Sequence, residues 1–332
     1  MRLGILSFAH LHAEGYQAIL KTIPGVELVG FSHEDEGEGR RFADQYGLRR
    51  FAQPQDLLAE GLDGVIVCSE NARHLELVEL AAKARCQILC EKPIASNLKD
   101  AQAMKAVCEQ NGVHFMTAFP MRFAPSTQSI RAAIGGGQLG QIYGVNGINH
   151  SEIPKAHRAW FADKELAGGG AVMDHVVHLA DLLRWYFGEV SEVYAEVDNL
   201  FYPGEGVDTA GLLLIRLENG VQASIDCSWS RPTWYPRWGH LKMEVVGERG
   251  TAVMDSFAQY LNLYSRQAAR AHTWVGFGPN PDRAMLGEWL ASIREKRPPS
   301  VGWNDGYQAL RVALAAYASA STHAVVSLER FS

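Results

Sequence analysis

The first third of the chain alternates short apolar runs with longer stretches of helical periodicity. Arg2–Leu6, Glu27–Phe31, Gly64–Cys68, Gln87–Cys90 and Val113–Ala118 read as strands, too short and too continuously apolar to stand as helices. Between them, His74–Ala84 sets Leu75, Val78 and Ala82 on one stripe, and Leu98–Gln110 does the same with Ala101, Met104 and Val107. Asn97 is the N-cap of the second of these helices, with Asp100 three residues on. Strands alternating with helices predict a parallel sheet covered on both faces and joined by right-handed crossovers, a doubly wound α/β domain.

The pattern then changes. Gly135-Gly136-Gly137 ends a helix, and Ile142–His150 reads as a strand. Gly168-Gly169-Gly170 precedes a helix over Ala171–Phe187, where Val172, Val176, Leu179 and Leu183 form an apolar stripe. Asp174, His178 and Asp181 recur on roughly the opposite side, so one helix presents a carboxylate and an imidazole one turn apart. That pairing suits proton transfer near neutral pH. Ala210–Leu217 and Val221–Ser228 are β-rich and joined through Asn219-Gly220, a hairpin signal. Leu241–Val246 and Thr251–Met254 flank a second turn at 247–250, and helices over Arg283–Glu295 and Asn304–Thr322 close the chain. Strands in succession predict an antiparallel or mixed sheet, unlike the first half.

The strand ends carry the candidate chemistry. Ile88-Leu89-Cys90 stops abruptly in Glu91-Lys92-Pro93, at the carboxyl end of a strand where open α/β sheets bind ligands. Pro93 confines Lys92 to extended or turn geometry, so its ammonium has a fixed origin. After the first strand the chain runs Ser7-Phe8-Ala9-His10-Leu11-His12. A dinucleotide fingerprint would have glycine at Ser7, at Ala9 and near His12. Ser7 and Ala9 are small enough to let a pyrophosphate approach the helix N-terminus, whereas His12 fills the place of the packing glycine. The acid that normally holds the adenosine ribose is His33, followed by Glu34, Asp35 and Glu36. Glu34 or Asp35 is positioned to reach the ribose hydroxyls, and the acidic run favours NAD over NADP.

Composition narrows the class. A chain of 332 residues, 47% apolar, has material for two cores and no stretch suited to a membrane span. All eight tryptophans fall at Trp160 or later, which supports two halves of different character. Trp229, Trp234, Tyr235 and Trp238 crowd one strand end, as a pocket wall, a subunit contact or a satellite core. The five cysteines are odd in number and unclustered, as reduced thiols are, and the N-terminus shows no export leader; both predict a cytoplasmic protein. A net charge of −6 without a basic run disfavours nucleic acid and anionic membranes as partners. His10-x-His12 after a first strand is also how metal-dependent hydrolase barrels begin their metal site, but such a barrel needs eight βα units and this chain turns to consecutive strands.

Five segments in order give a resemblance. Asn71-Ala72-Arg73-His74, Glu91-Lys92-Pro93, Met121-Arg122-Phe123-Ala124-Pro125, Gly168-Gly169-Gly170 with Asp174-x-x-x-His178-x-x-Asp181, and the run from Gly287 to Leu328 resemble the glucose–fructose oxidoreductase / inositol dehydrogenase / rhizopine-catabolism family. The resemblance implies an N-terminal Rossmann domain over 1–119. It implies a C-terminal α+β domain over 120–332 for substrate binding and oligomerisation, built on a large, open, mostly antiparallel sheet. It implies a dehydrogenase that moves a hydride between NAD and a secondary alcohol of a sugar or cyclitol, in a homodimer or homotetramer. His178 would be the general base, Asp174 its orienting partner, and Lys92 the group over the reacting oxygen, with Arg122 and His150 as further substrate contacts. Cofactor contacts would come from Ser7, Phe8, Ala9, His10, His33 and Glu34 in the first half of that domain. Ser69, Glu70, Asn71, His74, Glu91 and Lys92 would supply the rest. The Lys92–Pro93 bond would be cis. No metal is implied. The departures are the missing glycines, His33 for the ribose acid, Ser69-Glu70 before Asn71, and Val176 where the family's catalytic helix carries glycine. They leave a second reading, a dinucleotide-binding sensor of the same fold without catalysis.

Overall fold

In the computed structural model, which describes residues 1–266 and 272–331, the alternating first third builds one parallel sheet. Its elements are β1 (Arg2–Leu6), α1 (His12–Leu20), β2 (Glu27–Ser32), α2 (Glu36–Tyr46), β3 (Arg50–Phe51) and α3 (Pro54–Leu58). There follow β4 (Gly64–Val67), α4 (His74–Lys83), β5 (Gln87–Cys90), α5 (Leu98–Asn111) and β6 (Phe115–Thr117). The strands run β3-β2-β1-β4-β5-β6, all neighbours parallel. The order reverses between β1 and β4, which opens a crevice at the carboxyl ends of those strands. Leu3, Ile5, Val65, Ile66, Ile88 and Leu89 are fully buried, as strands covered on both faces require. Asn97 caps α5, its Oδ1 accepting the Asp100 N–H at 2.9 Å.

Two compact units divide the chain: Met1–Phe119 with His157–Gly168 and Asp282–Tyr307, and Pro120–Ala156 with Gly169–Pro281 and Gln308–Ser332. The chain leaves the first unit after Phe119, where the sequence puts the boundary, but returns to it twice, which a division into 1–119 and 120–332 does not contain. Packing explains both returns. Trp160, Phe161 and Ala167 bury Ala9, and the Trp160 indole N–H donates to the Ala9 carbonyl at 3.0 Å. Trp289 lies so close to Gly64 that an added Cβ would stand 2.9 Å from its ring.

The remaining elements are α6 (Pro125–Gly135), β7 (Ile142–Ser151), α7 (Lys164–Ala167), α8 (Ala171–Phe187), β8 (Val190–Asp198), β9 (Ala210–Leu217) and β10 (Gln222–Ser228). After them come β11 (Gly239–Gly247), β12 (Gly250–Asp255), β13 (Tyr260–Tyr264), β14 (His272–Gly276), α9 (Pro281–Glu295), α10 (Trp303–Thr322) and β15 (Val326–Ser327). In the second unit the strands order as β12-β11-β7-β10-β9-β8-β15. Only β7 and β10 pair in parallel, so the sheet is mixed and mostly antiparallel. Helix α8 lies on one face of it, with Val172, Val176, Leu179 and Leu183 all at most 1% exposed. Val176 is therefore a core residue. Among the described residues no helix is long and apolar enough to cross a membrane, and all five cysteines are free and buried.

The glycine run before α8 is a steric requirement. A Cβ on Gly169 would fall 2.1 Å from the Tyr317 hydroxyl, and one on Gly170 only 1.8 Å from the Asp208 carbonyl oxygen. Asp208 then caps α8 from a distance, its carboxylate accepting the Gly170 and Val172 N–H groups at 2.8 Å each. Tyr317 donates to the same carboxylate at 2.7 Å. Gly170→Ala is therefore expected to lower stability by about 1–3 kcal/mol through overpacking, read as a lower thermal midpoint; an unchanged midpoint would show that the Asp208 backbone yields freely.

Candidate functional site

In the first unit the site grows from the end of β5. Glu91 is fully buried and Lys92 is 4% exposed, and the Lys92–Pro93 bond is cis, as the resemblance implies. An isolated carboxylate at that depth would be very costly, and its surroundings compensate. Glu91 Oε1 accepts the Tyr16 hydroxyl at 2.6 Å and His12 Nδ1–H at 3.0 Å, while Oε2 accepts the Lys92 backbone N–H at 3.2 Å. His10 Nε2 stands 3.9 Å from Oε2. Burial works to raise the Glu91 carboxyl, yet the imidazoles of His10 and His12 and the Lys92 ammonium outweigh it and hold the group well below the usual carboxylate range. Burial likewise works against charge on His12, and Glu91 overrides it, raising that imidazole above its ordinary value.

His10, His12 and Glu91 bring three ligand-type atoms within 4.8 Å of one another, the arrangement a metal site would need. The ring tautomer argues for a different use. His10 Nδ1 accepts the His12 backbone N–H at 3.2 Å, so the ring proton sits on Nε2, toward Glu91. A metal-binding imidazole needs its inner nitrogen bare and its outer N–H donating outward. The cluster is thus a hydrogen-bonded hub tying the β1–α1 turn and helix α1 to the strand that carries Lys92.

The turn itself departs from a phosphate cradle. Ser7 adopts φ +72°, the left-handed conformation that glycine usually supplies. Its Oγ accepts the Ala9 N–H at 3.1 Å, the Phe8 N–H goes to His33 Nδ1 at 3.3 Å, and the His10 N–H to the Cys68 carbonyl at 2.8 Å. A diphosphate would meet side chains here rather than a ring of free amides. The adenosine end fits better. A cavity of about 290 Å³ at the carboxyl end of β2 is lined by Ser7, Ser32, His33, Glu34, Gln53 and Arg73, among others. Its polar lining suits a ribose and a base. His33 is a buried residue whose imidazole burial holds below its ordinary value, so it serves as a neutral acceptor for the turn and not as a ribose acid.

Asn71 and His74 are buried clamps. Asn71 Nδ2 donates to the Ala167 carbonyl at 2.8 Å, and its Oδ1 is a buried acceptor without a partner among the described residues. The two His74 ring nitrogens face the Ile94 and Ser69 carbonyls at 3.1 and 3.2 Å. Neither imidazole edge is left for a ligand; His74 ties the turn after β4 to the backbone just past the Lys92 corner. Ser69 is fully buried, and its hydroxyl donates to the Glu70 carbonyl at 3.2 Å.

In the second unit Asp174 and His178 stand on α8 as the periodicity predicts, both half-buried. Asp181, expected on the same solvated face, is 1% exposed and locked to Arg122 in a bidentate pair at 2.7 and 2.5 Å. Arg122 is itself 6% exposed, and the pair anchors the segment before α6 onto α8. His150 is corrected as well. Along β7 the residues Gly147, Asn149 and Ser151 face α8, with Asn149 Nδ2 donating to the His175 carbonyl at 3.2 Å. His150 alternates to the opposite face, where its Nε2 meets Asp226 at 3.0 Å, so it is not brought together with Asp174. The residue that does meet Asp174 is His175, passed over in the sequence: its Nε2 lies 3.2 Å from the Asp174 carboxylate and 3.1 Å from Ser151 Oγ, while Nδ1–H donates to the Asn149 carbonyl at 2.9 Å. Tyr16 was missed too, although it follows His12 by one helical turn.

Residues 3–119 match a family model described as an oxidoreductase family with an NAD-binding Rossmann fold, and residues 127–253 match the GFO/IDH/MocA C-terminal domain. The chain is 28% identical to D-apiose dehydrogenase from Paraburkholderia graminis, over 98% of this chain and 88% of that protein. It is 27% identical to myo-inositol 2-dehydrogenase from Thermotoga maritima, over 99% of both. Among solved structures, GenD2 of gentamicin A biosynthesis, in complex with NAD, superposes with a TM-score of 0.89 at 22% identity, over 99% of this chain and 96% of that one. The WlbA dehydrogenase from Bordetella pertussis superposes at 0.84 and 21% identity, over 99% and 97%. At those identities the two structures speak for the fold.

Removing the Glu91 charge tests the hub. Glu91→Ala leaves His12 and Tyr16 facing an empty, buried space and is expected to cost about 3–5 kcal/mol in urea unfolding at neutral pH. Because the folded-state carboxyl lies below its ordinary 4.5, the stability it contributes is complete above that value and drains away as the pH falls beneath it. The advantage of wild type over Glu91→Gln should therefore shrink steadily as the pH is lowered beneath 4.5; a gap that did not change with pH there would assign the effect to shape and not to charge.

Proposed function

Since the chain belongs to the GFO/IDH/MocA oxidoreductase family, we propose that it is an NAD-dependent dehydrogenase acting on a secondary alcohol of a sugar or cyclitol. The observation that carries this reading is the Lys92 corner: a lysine 4% exposed, at the carboxyl end of β5, fixed by Glu91 on one side and by His74 on the other. The named relatives act on apiose and on inositol, which supports the substrate class. Bound nicotinamide would supply the hydride acceptor. His178 accepts the hydroxyl proton as general base, and Asp174 orients or holds the substrate, with His175 behind it. Lys92 stabilises the negative charge that develops on the reacting oxygen. Ser7, Glu34 and Arg73, which line the cavity beyond β2, would hold the adenosine, and Asn71 Oδ1 is an acceptor still to be satisfied.

NAD is favoured over NADP because Glu34 and Glu76 both line the cavity where the adenosine ribose would lie. A homo-oligomer is supported by the face of the second sheet opposite α8, where Leu212 and Leu214 are 55% and 59% exposed. Assays of NADH formation on a panel of polyols and aldoses test the reading. Lys92→Ala is expected to lower turnover on the best substrate on the order of a hundred- to a thousandfold, measured below the thermal transition of the variant. Full turnover in that variant would remove Lys92 from the chemistry, and no turnover on any substrate in the wild type would favour the non-catalytic sensor.

A further inference from the structure

Helix α8 holds a proton that its neighbours require it to keep. His175 is fixed by β7: its Nδ1–H donates to the Asn149 carbonyl at 2.9 Å, and its own carbonyl accepts the Asn149 side-chain amide at 3.2 Å. A carbonyl oxygen can only accept, so Nδ1 carries a proton. The other ring nitrogen, Nε2, faces Ser151 Oγ at 3.1 Å and Asp174 Oδ2 at 3.2 Å. Ser151 gives its own proton to the Glu152 carbonyl, at the shorter distance of 2.7 Å. Its oxygen therefore meets Nε2 with a lone pair, as the carboxylate does. A bare Nε2 would oppose two acceptors in a place where His175 is 5% exposed and Ser151 3%. A proton on Nε2 removes the conflict and makes the contact to Asp174 charge-assisted. Helix geometry alone does not produce that contact, since adjacent residues point about 100° apart. Anchoring by Asn149 sets the ring toward Asp174.

We infer that His175 is a positioning residue: through Nε2–H it holds the Asp174 carboxylate ionised and in one rotamer, as the acceptor for a substrate hydroxyl, and leaves proton abstraction to His178. A carboxylate already paired with an imidazolium is a weak base, so the two groups on α8 cannot exchange roles. The inference rests on the dehydrogenase reading above. It goes beyond that reading by assigning the orientation of Asp174 to the residue beside it, and the orientation of that residue to Asn149 and Ser151 of β7.

Two replacements separate this role from a purely structural one. The amide nitrogen of asparagine falls near the Nδ1 position of a histidine, and that of glutamine near Nε2. His175→Asn therefore keeps the anchor to Asn149 and loses Asp174, whereas His175→Gln keeps Asp174 and loses the anchor. Full-length variants are assayed on the best polyol or aldose with NAD, below the thermal transition of each. His175→Asn should lose kcat/KM for the alcohol on the order of tenfold to a hundredfold, as a misplaced positioning group does, while His175→Gln should stay within about threefold of wild type. The KM for NAD should not move in either. The opposite order, or equal losses, would make His175 a packing residue and overturn the inference while leaving the dehydrogenase reading intact. A wild type that turns over no alcohol would end that reading and the inference with it. A second measurement needs no turnover. In NMR of ring-labelled histidine at neutral pH, His175 should carry protons on both nitrogens in wild type and on one in Asp174→Asn; a bare Nε2 in wild type would overturn the inference by itself.

Discussion

A buried negative charge organises the first unit. Glu91 lies where β5 ends, fully removed from water, and its carboxylate cannot stand there without donors. Two donors come from an element distant in sequence, Tyr16 and His12 of α1, and a third is the backbone N–H of the neighbouring Lys92. Satisfying one charge thus fixes the register between the β1–α1 turn, the first helix and the strand end that carries the lysine. The same requirement accounts for His10, whose Nε2–H points into the cluster because its other nitrogen is occupied by the His12 amide.

Much of the fold was legible because its strands and helices carry strong periods. Helix α8 runs over the same residues that the apolar stripe predicts, and the Asn97 cap and the Asn219-Gly220 turn are local chemistry that a sequence displays directly. Strand β3 has two residues, too few to show any period. Strand β8, Val190–Asp198, and the hairpin β13–β14 were not predicted. In the hairpin, Leu261, Leu263 and Tyr264 are exposed, so no core imposes a pattern on it. The return of Trp160 and of α9 to the first unit was invisible for another reason: which core a segment joins is a tertiary choice, and amphipathicity reports only that a face is buried.

The site was legible to the extent that its residues sit on regular elements. The strand end that precedes Lys92 and the helix that carries Asp174 and His178 were legible from periodicity alone. What failed was the assignment of faces beyond the first neighbour. His150 was read as a further substrate contact, yet the period of two along β7 separates it from Asn149 and Ser151, which face α8. Asp181 obeyed the helical spacing and yet was buried, because a charge can leave water when an arginine meets it in bidentate geometry. His175 was overlooked because an amphipathic-helix plot gives it no partner; its partners, Asn149 and Ser151, come from a strand more than twenty residues upstream.

The missing glycines look like decay only when each position is judged by itself. Taken together, the substitutions form a closed set. Ser7 takes the glycine conformation and caps Ala9; His33, standing where a ribose acid would be, accepts the Phe8 amide; His12, standing where a packing glycine would be, donates to Glu91. Each side chain serves a polar group of its surroundings, Ser7 the Ala9 amide, His33 the Phe8 amide and His12 the Glu91 carboxylate, so truncating any one would leave that group without the partner it has here. A fingerprint defined by free backbone amides has been exchanged for one defined by side chains. The polar cavity beyond β2 borders the same turn, with Ser7 and His33 in its lining.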